Sequence, residues 1–560
     1  MRPTASHKRT RAQESSGAIE RMYITMRHLF NRGFYKPMGI SGETLRESLL
    51  ILSPEIYGSI SDEKIELEGL LYVIDRLPYG IEECRYINLT SDEGYKNSHF
   101  KPIIPTKRRR NCYRIDEEQM NIEITRGRSE IYDILTHLTF LYIESHKIMK
   151  QVVINDEGEV IRDWKKLEEA VLVKRDLSQK DKEIALTHTA NFLGRTFEEV
   201  NQIYPHFESP HIKNRFLNII YYLGKLAMEE VLEENKRIIT FSPVLRERLG
   251  HHIHGEQWAL RVKKALKDAD FMDRPLHIIS ANMHSVLNSL FARKALGAEF
   301  KDLSDLDIYK KLSLSTSLKL QQKVWKKALA NGMQFIEDAS GTNIDVQIFD
   351  TARFYEFQED VADADKPVII VMDYAFGEQA YETMDELLKP YLAEGNRDYL
   401  NIVSISVMGK AGILNGQKGD IMIPNAHVFE GTADNYPFKN KLKKADFNDV
   451  DVKVCSGTMI TVLGTSLQNR DILRFFNTST WNVIGLEMEG AHYQKAIQSA
   501  SRIRGSISPK IAVRYAYYAS DNPLESGSTL ASGGLGTTGV KPTYAITEKM
   551  LKQILDEPKN

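Results

Sequence analysis

Val483-Ile484-Gly485-Leu486-Glu487-Met488-Glu489-Gly490-Ala491 carries a short apolar run into two carboxylates that flank a methionine, and then into a stretch that reads as a helix. An acid placed where a strand gives way to a helix is aimed at the edge of an α/β sheet, which is where such sheets bind ligands. The same grammar recurs through the second half of the chain. Leu276-His277-Ile278-Ile279 reads as a buried strand and is followed by Ser280-Ala281-Asn282 and a helical run through Val286, Leu287, Leu290 and Phe291. Pro367 to Met372 is a second such strand, and Gly377 followed by Ala380, Met384, Leu387 and Leu388 makes another turn and helix. Ile402 to Val407 forms a third, ending at Gly409, and Val483 to Leu486 and Ile511 to Ala519 supply two more. Near-continuous apolar strands that alternate with helices predict an α/β fold, with a mostly parallel sheet covered on both faces. The texture changes near Asp273 to Pro275, so residues 274–560 are expected to form this domain.

At 560 residues the chain is long enough for two to four domains. Residues 18–273 read as a mainly helical domain of unknown function. Ile131, Ile134, Leu135, Leu138, Leu141 and Tyr142 recur at helical steps, as do Phe216, Ile219, Ile220, Leu223 and Leu226. Val152-Val153-Ile154 before Asn155-Asp156-Glu157-Gly158 suggests a hairpin. Lys107-Arg108-Arg109-Arg110 reads as a solvated basic loop, and His251, His252, His254 and Glu256 as structural or surface groups whose spacing matches no standard metal site. Residues 1–17 are basic and lack an apolar stretch, so they read as a disordered lead-in and not as a secretory signal.

The balance of 74 basic against 76 acidic residues gives a net charge of -2, with no global field for nucleic acid or an anionic membrane. Three scattered cysteines, Cys84, Cys112 and Cys455, make no disulfide framework. No window is apolar enough to span a bilayer. A cytoplasmic protein without a metal or cofactor is expected.

Four segments end strands in the second domain. They are Met408-Gly409-Lys410-Ala411-Gly412-Ile413-Leu414 with the following Gly419-Asp420-Ile421-Met422-Ile423-Pro424, then Ser456 to Thr461, then the opening stretch, then Tyr518-Ala519-Ser520-Asp521-Asn522-Pro523. The two glycines of the first let backbone approach a ligand closely, and Pro523 stops the last strand's ladder. In this order the four resemble the nucleoside phosphorylase and nucleosidase superfamily, over roughly residues 275–560. The Glu-Met-Glu-Gly-Ala run and the later Ser-Asp are the specific part. The spacing is most similar to the AMP nucleosidases, in which a basic residue also follows the first glycine.

The resemblance implies a mixed sheet flanked by helices and cleavage of the N-glycosidic bond of a purine nucleoside or nucleotide. Breaking that bond leaves negative charge on the base and builds oxocarbenium-like charge on the sugar, so a catalyst needs an acid at the base and an acceptor or anion at the ribose. By resemblance Asp521 is the acid and Glu489 the ribose ligand, the two catalytic groups. Met488, Glu487, Ser520, Gly409, Lys410, Ala411, Gly412 and Thr461 are the further substrate-binding candidates, with Lys410 facing a phosphate on the substrate or free.

Phosphorylases of the superfamily usually carry Gly-Asp-Pro-x-Arg after the first strand, where this chain has Ser280-Ala281-Asn282-Met283-His284-Ser285. Water is therefore favoured over phosphate as nucleophile, with a phosphorylase and a non-catalytic nucleotide sensor as the alternatives, and the general base is left open. Leu524 to Tyr544, with Gly527, Gly533, Gly534, Gly536 and Gly539, reads as either a lid or a disordered loop. The resemblance also implies a homo-oligomer.

Overall fold

A computed structural model describes residues 9–108, 110–173, 177–209, 212–357, 361–393, 395–432, 434–525 and 536–556. The chain divides into two compact units, one of Met1–Thr125, Glu130–His251 and Ser466–Ile472, the other of Arg126–Ser129, His252–Thr465 and Leu473–Asn560.

The first unit combines its helices with a five-stranded sheet, ordered Phe34–Tyr35, Ile238–Phe241, Tyr86–Thr90, Gln119–Glu123, Cys112–Arg114. These strands are two to five residues long, too short to leave a period in the sequence, which is why a mainly helical reading missed them. The hairpin expected after Val152 is a single antiparallel bridge, Val153 to Val160.

Both periodic segments are helical, within Gly127–Val152 and Arg215–Leu232. The first buries polar positions as well. Arg108 donates to Asp133 from Nε at 3.0 Å and Nη2 at 3.2 Å, Arg110 adds a bond at 3.3 Å, and His137 Nε2 lies 3.3 Å away. Burial alone would raise the Asp133 pKa, but Arg108, His137 and Arg110 outweigh it and hold the carboxyl well below its usual range. The basic run therefore folds inward at Arg108 and Arg110, where a solvated loop was expected; Arg109 lies outside the described residues. The lead-in also differs from expectation. A helix starts at Arg11, with Thr10 and Gln13 forming a reciprocal cap, while residues 1–8 lie outside the described residues.

Among the described residues the main sheet of the second unit has ten strands: β1 (Leu276–Ser280), β2 (Met333–Ile336), β3 (Val346–Asp350), β4 (Val368–Met372), β5 (Ile402–Ile413), β6 (Ile421–Phe429), β7 (Asp434–Pro437), β8 (Val454–Thr461), β9 (Val483–Glu487) and β10 (Ala512–Asp521). The order is β7-β6-β8-β9-β5-β1-β4-β3-β2, with β10 paired to both β5 and β6. β4, β1, β5 and β10 run parallel, as the apolar runs predict. The sheet is mixed, because β9 meets the end of β5 antiparallel and β10 meets β6 antiparallel. Strands β5, β10, β6, β8 and β9 thereby close a circuit. β5 does not stop at Gly409 but continues to Ile413, so Gly409 to Gly412 are ladder residues where the sequence suggested a turn.

Helices cover both faces: α1 (Ile253–Asp268), α2 (Met283–Leu296), α3 (Asp305–Leu312), α4 (Leu318–Ala330), α5 (Gln379–Leu387), α6 (Gly490–Gln498) and α7 (Val540–Leu555). In β4, Val368, Ile370 and Met372 join a core with Trp258 of α1, Met384 of α5 and Ile497 of α6. Ile369 and Val371 join another with Val286 and Phe291 of α2, Val324 of α4 and Ile546 of α7. A strand covered on both sides has no polar face, hence its unbroken apolar run. Each such side chain contributes about 1.5–3 kcal/mol on burial. No helix among the described residues is long and apolar enough to cross a membrane.

Gly490 begins α6 against β6 and β10. A Cβ there would run into the His427 ring and come within 2.7 Å of the Tyr517 hydroxyl, whose 3.0 Å bond to His427 Nε2 fixes both. Gly490→Ala is expected to destabilise the protein by roughly 1–3 kcal/mol in urea unfolding, because neither ring can retreat from a packed core. An unchanged midpoint would show that the contact yields without cost.

Candidate active site at the carboxyl edge of the sheet

The turn from β9 into α6 is held by one buried carboxylate. Glu487 Oε1 accepts from the Thr461 hydroxyl, and its Oε2 accepts from Glu489 N at 2.6 Å and from Gly490 N. Thr461 Oγ1 in turn accepts from Ala491 N at 2.9 Å. Glu487 and Thr461, both expected to touch substrate, are thus buried beneath the turn and engaged by the protein itself. Met488 and Glu489 stand above them, half-buried.

Glu489 Oε1 accepts from Gly377 N at 2.9 Å. Gly377 has φ +56°, and a Cβ there would strike the Ser129 hydroxyl, so glycine is required. Ser129 Oγ accepts from Glu378 N at 2.8 Å, and Gln379 Oε1 accepts from Phe376 N at 3.1 Å. The loop between β4 and α5 is therefore bonded to the carboxylate that follows β9.

Burial raises Glu487 to about 7, partly offset by Thr461 and the two N–H groups. Burial, with the neighbouring charge of Glu487, raises Glu489 to about 8. Glu489 therefore favours its neutral form near neutral pH, and Glu487 titrates close to neutrality. A cation arriving beside Glu489 would favour its ionised form, so its charge is available when positive charge develops.

Asp521 ends β10. Between Ala411 and Gly412 the β5–β10 register jumps from Ala519 to Asp521, leaving Ser520 as the extra residue of a bulge. Ser520 Oγ lies 3.1 Å from the Ala411 carbonyl and 2.5 Å from Asp521 Oδ1, so the bulge re-aims the acid and holds it. Asp521 Oδ2 is buried with no hydrogen-bond partner among the described residues. Burial pushes the Asp521 pKa up, against the smaller opposing effects of Ser520, Lys410 and Lys418.

Gly412 pairs with Leu486 on one side and Asp521 on the other. Two strand spacings of ~4.8 Å put the Glu487–Glu489 turn and Asp521 about 10 Å apart around that glycine. Gly409, Lys410 and Ala411 lie just before it on the same strand. Gly409 is packed against the Tyr517 ring, Ala411 serves through its carbonyl, and Lys410 is exposed.

Lys410 and its neighbour Tyr518 also line a cavity of about 660 Å³. Its other walls include Asn282 and His284 after β1, Gln321 and Trp325 of α4, and Tyr544 of α7. Asp521, Met488 and Glu489 are not among the walls, so this space is not the same compartment, and Lys410, whose charge acts on Asp521, is the residue that relates the two.

Of the expected lid, Gly527, Gly533 and Gly534 lie outside the described residues. Its far end is not a loop: Gly539 caps α7, and Tyr544 stacks on Tyr309 at 3.8 Å and accepts from Asn288 at 2.7 Å. In the histidine cluster, His254 Nδ1 bonds the Ser340 carbonyl at 2.5 Å and Glu256 is exposed. Sequence reasoning passed over Asp373 and Tyr374 at the end of β4. Tyr374 lies beside Tyr518 and the Asn282 backbone. The available signal was an acid directly after an apolar run, as at Glu487.

A family model described as a family of unknown function (DUF6909) matches residues 43–297 and 309–556, and the chain belongs to that family. Comparison with curated proteins finds no match. Among solved structures, the chain is similar to the 5'-methylthioadenosine/S-adenosyl homocysteine nucleosidase of Campylobacter jejuni, at 11% identity and TM-score 0.30, covering 50% of this chain and 99% of that one. It is similar to futalosine hydrolase of Helicobacter pylori, at 13% identity and TM-score 0.31, covering 51% and 99%. A third is isoform 2 of uridine phosphorylase from Schistosoma mansoni, at 11% identity and TM-score 0.28, covering 50% and 90%. The roles assigned below come from this chain's own strand ends.

The raised pKa of Glu487 has a sign that can be tested. Its neutral form is favoured in the fold, so its contribution to stability is full below about pH 4.5 and is lost as pH rises through about 7. Glu487→Gln cannot ionise. Between pH 5 and pH 8 the wild type should lose on the order of 3 kcal/mol relative to this variant in urea unfolding. Parallel stability curves would show that Glu487 does not titrate in the fold.

Proposed function

We propose that the protein cleaves the N-glycosidic bond of a purine nucleoside or nucleotide, with water as the acceptor. The observation that carries this reading is Asp521: a carboxyl of raised pKa, fixed by Ser520 in a bulge, with Oδ2 buried and without a partner among the described residues. A carboxyl whose proton is favoured by burial suits proton donation to a leaving purine at N7. About two strand spacings away, Glu489 accepts from ribose hydroxyls and opposes the oxocarbenium-like charge on the sugar. Met488 packs against the sugar or base.

An AMP-like substrate is favoured by Lys410, a cation two residues before Gly412 on β5, and by the cavity that it lines. Lys410 lines it, together with Asn282, His284 and Gln321, giving a cation and several hydrogen-bonding side chains for a 5'-phosphate. The order of the motifs and the basic residue after Gly409 are similar to those of the AMP nucleosidases. Hydrolysis is preferred to phosphorolysis because the stretch after β1, Ser280 to Ser285, has no arginine.

Asp521→Asn should reduce base release by at least about 100-fold while nucleoside binding, measured by titration calorimetry, stays within a few-fold of wild type. Turnover undiminished in that variant would remove Asp521 as the acid. Lys410→Met should raise KM for a nucleoside 5'-monophosphate roughly tenfold or more, the value of one charge-assisted bond, and leave the unphosphorylated nucleoside within about twofold. Equal effects on the two substrates would contradict a phosphate at Lys410. Chromatography of the products decides the acceptor: ribose or ribose 5-phosphate without added phosphate supports hydrolysis, whereas a requirement for phosphate and release of ribose 1-phosphate contradicts it.

A further inference from the structure

A hydrolytic reaction needs a group to take the proton of the attacking water, and neither Glu487 nor Glu489 is suited to that task. Glu487 accepts from a hydroxyl and two backbone N–H groups under the turn. Glu489 is placed by Gly377 for the sugar. The water must also approach C1' from the side opposite the departing base, hence from the side away from Asp521.

Across the parallel strands the order is β10, β5, β1, β4. Asp521 ends the first of these. Asp373 directly follows Met372, the last residue of β4, and Met372 is level with Ser280 at the end of β1. Three spacings of ~4.8 Å, about 14 Å, separate the two strands, and Asp521 also stands further along the sheet, level with Gly412 of β5 where Met372 is level with Val407. That span leaves room for a nucleoside with an acid at its base and a water at its sugar.

Asp373 is tied to the ribose end of the site twice over. The loop it opens reaches Gly377, whose N–H bonds Glu489. Tyr493 of α6, whose hydroxyl bonds Ser280 Oγ at 2.7 Å, lies within electrostatic reach of both Asp373 and Glu489. The carboxylate itself is oriented, since Asp373 Oδ1 accepts from Tyr374 N at 2.9 Å and Asp373 N donates to the Asp345 carbonyl at 3.1 Å.

We propose that Asp373 is the general base that activates water for attack on C1', an assignment that rests on the N-glycosidase reading. In the step, the water oxygen bonds to C1' as the bond from C1' to the purine nitrogen breaks. The water proton passes to Asp373, the purine takes a proton from Asp521, and both carboxyls exchange with solvent to restore their starting states. One water is consumed, and one purine and one sugar are released.

The test uses the full-length chain and an excess nucleophile that needs no deprotonation. Asp373→Asn should lower kcat for base release by about 100-fold or more, with the nucleoside dissociation constant within threefold of wild type. Sodium azide should then restore base release in the variant and yield the 1-azido sugar, a product that a merely loosened fold would not give. If Asn disturbs the turn, Asp373→Ser should give the same two results. Wild-type turnover in the variant, or a loss of turnover with binding intact and no azido sugar, overturns the assignment to Asp373 alone. A wild-type protein that releases no base from any purine nucleoside or nucleotide overturns the N-glycosidase reading, and this inference with it.

Discussion

The carboxyl of Glu487 is the constraint on which the rest of the site depends. A hydroxyl and two backbone N–H groups converge on it in a buried place, and leaving any of them unmatched would cost on the order of 1–3 kcal/mol. Satisfying them fixes the backbone at Glu489 and Gly490, and that in turn fixes where Glu489 points. The consequence extends to the loop after β4, because Glu489 accepts from Gly377 and only a glycine tolerates that conformation against Ser129. One buried acid thus sets the position of a second and of a loop more than a hundred residues away in sequence.

The closed circuit of β5, β10, β6, β8 and β9 does the corresponding work for Asp521. Gly412 pairs on both sides, and the extra residue at Ser520 turns Asp521 out of the ladder. Burial then acts on each carboxyl in the same direction, towards the neutral form, but for different uses. In the proposed reaction the proton favoured at Asp521 is the one a leaving purine would take. At Glu489, under the same proposal, positive charge on the sugar would favour the ionised carboxylate.

The core strands were legible because each is covered on both faces and so has no polar alternation to blur it; Pro367 to Met372 and Ile402 to Val407 are examples. Edge strands such as Met333–Ile336 and Asp434–Pro437 are short and partly exposed, and left no comparable trace. The continuation of β5 through Gly409 to Gly412 was hidden because glycine ordinarily signals a turn, whereas here Gly409 packs against the Tyr517 ring inside a ladder. Arg108 and Arg110 read as solvated charge because their partner, Asp133, lies on a helix whose polar face is buried, which no periodicity reveals. Asp521 and Glu489 were legible as types in a pattern. The division of labour between Glu487 and Glu489 was not, because it follows from which oxygens the turn already occupies.

The central claim is that this edge of the sheet is complementary to a ribose carrying positive charge beside a protonated leaving base. The direct measurement is titration calorimetry of a cationic pyrrolidine joined to a 9-deazapurine, compared with the corresponding neutral nucleoside on the Asp521→Asn background, where the nucleoside is not consumed, and on wild type for the stable analogue. The account predicts that the cation binds the wild type at least about 100-fold more tightly than the nucleoside binds the variant, as expected of a site built for the transition state. Equal affinities, or no binding of the cation, would contradict it.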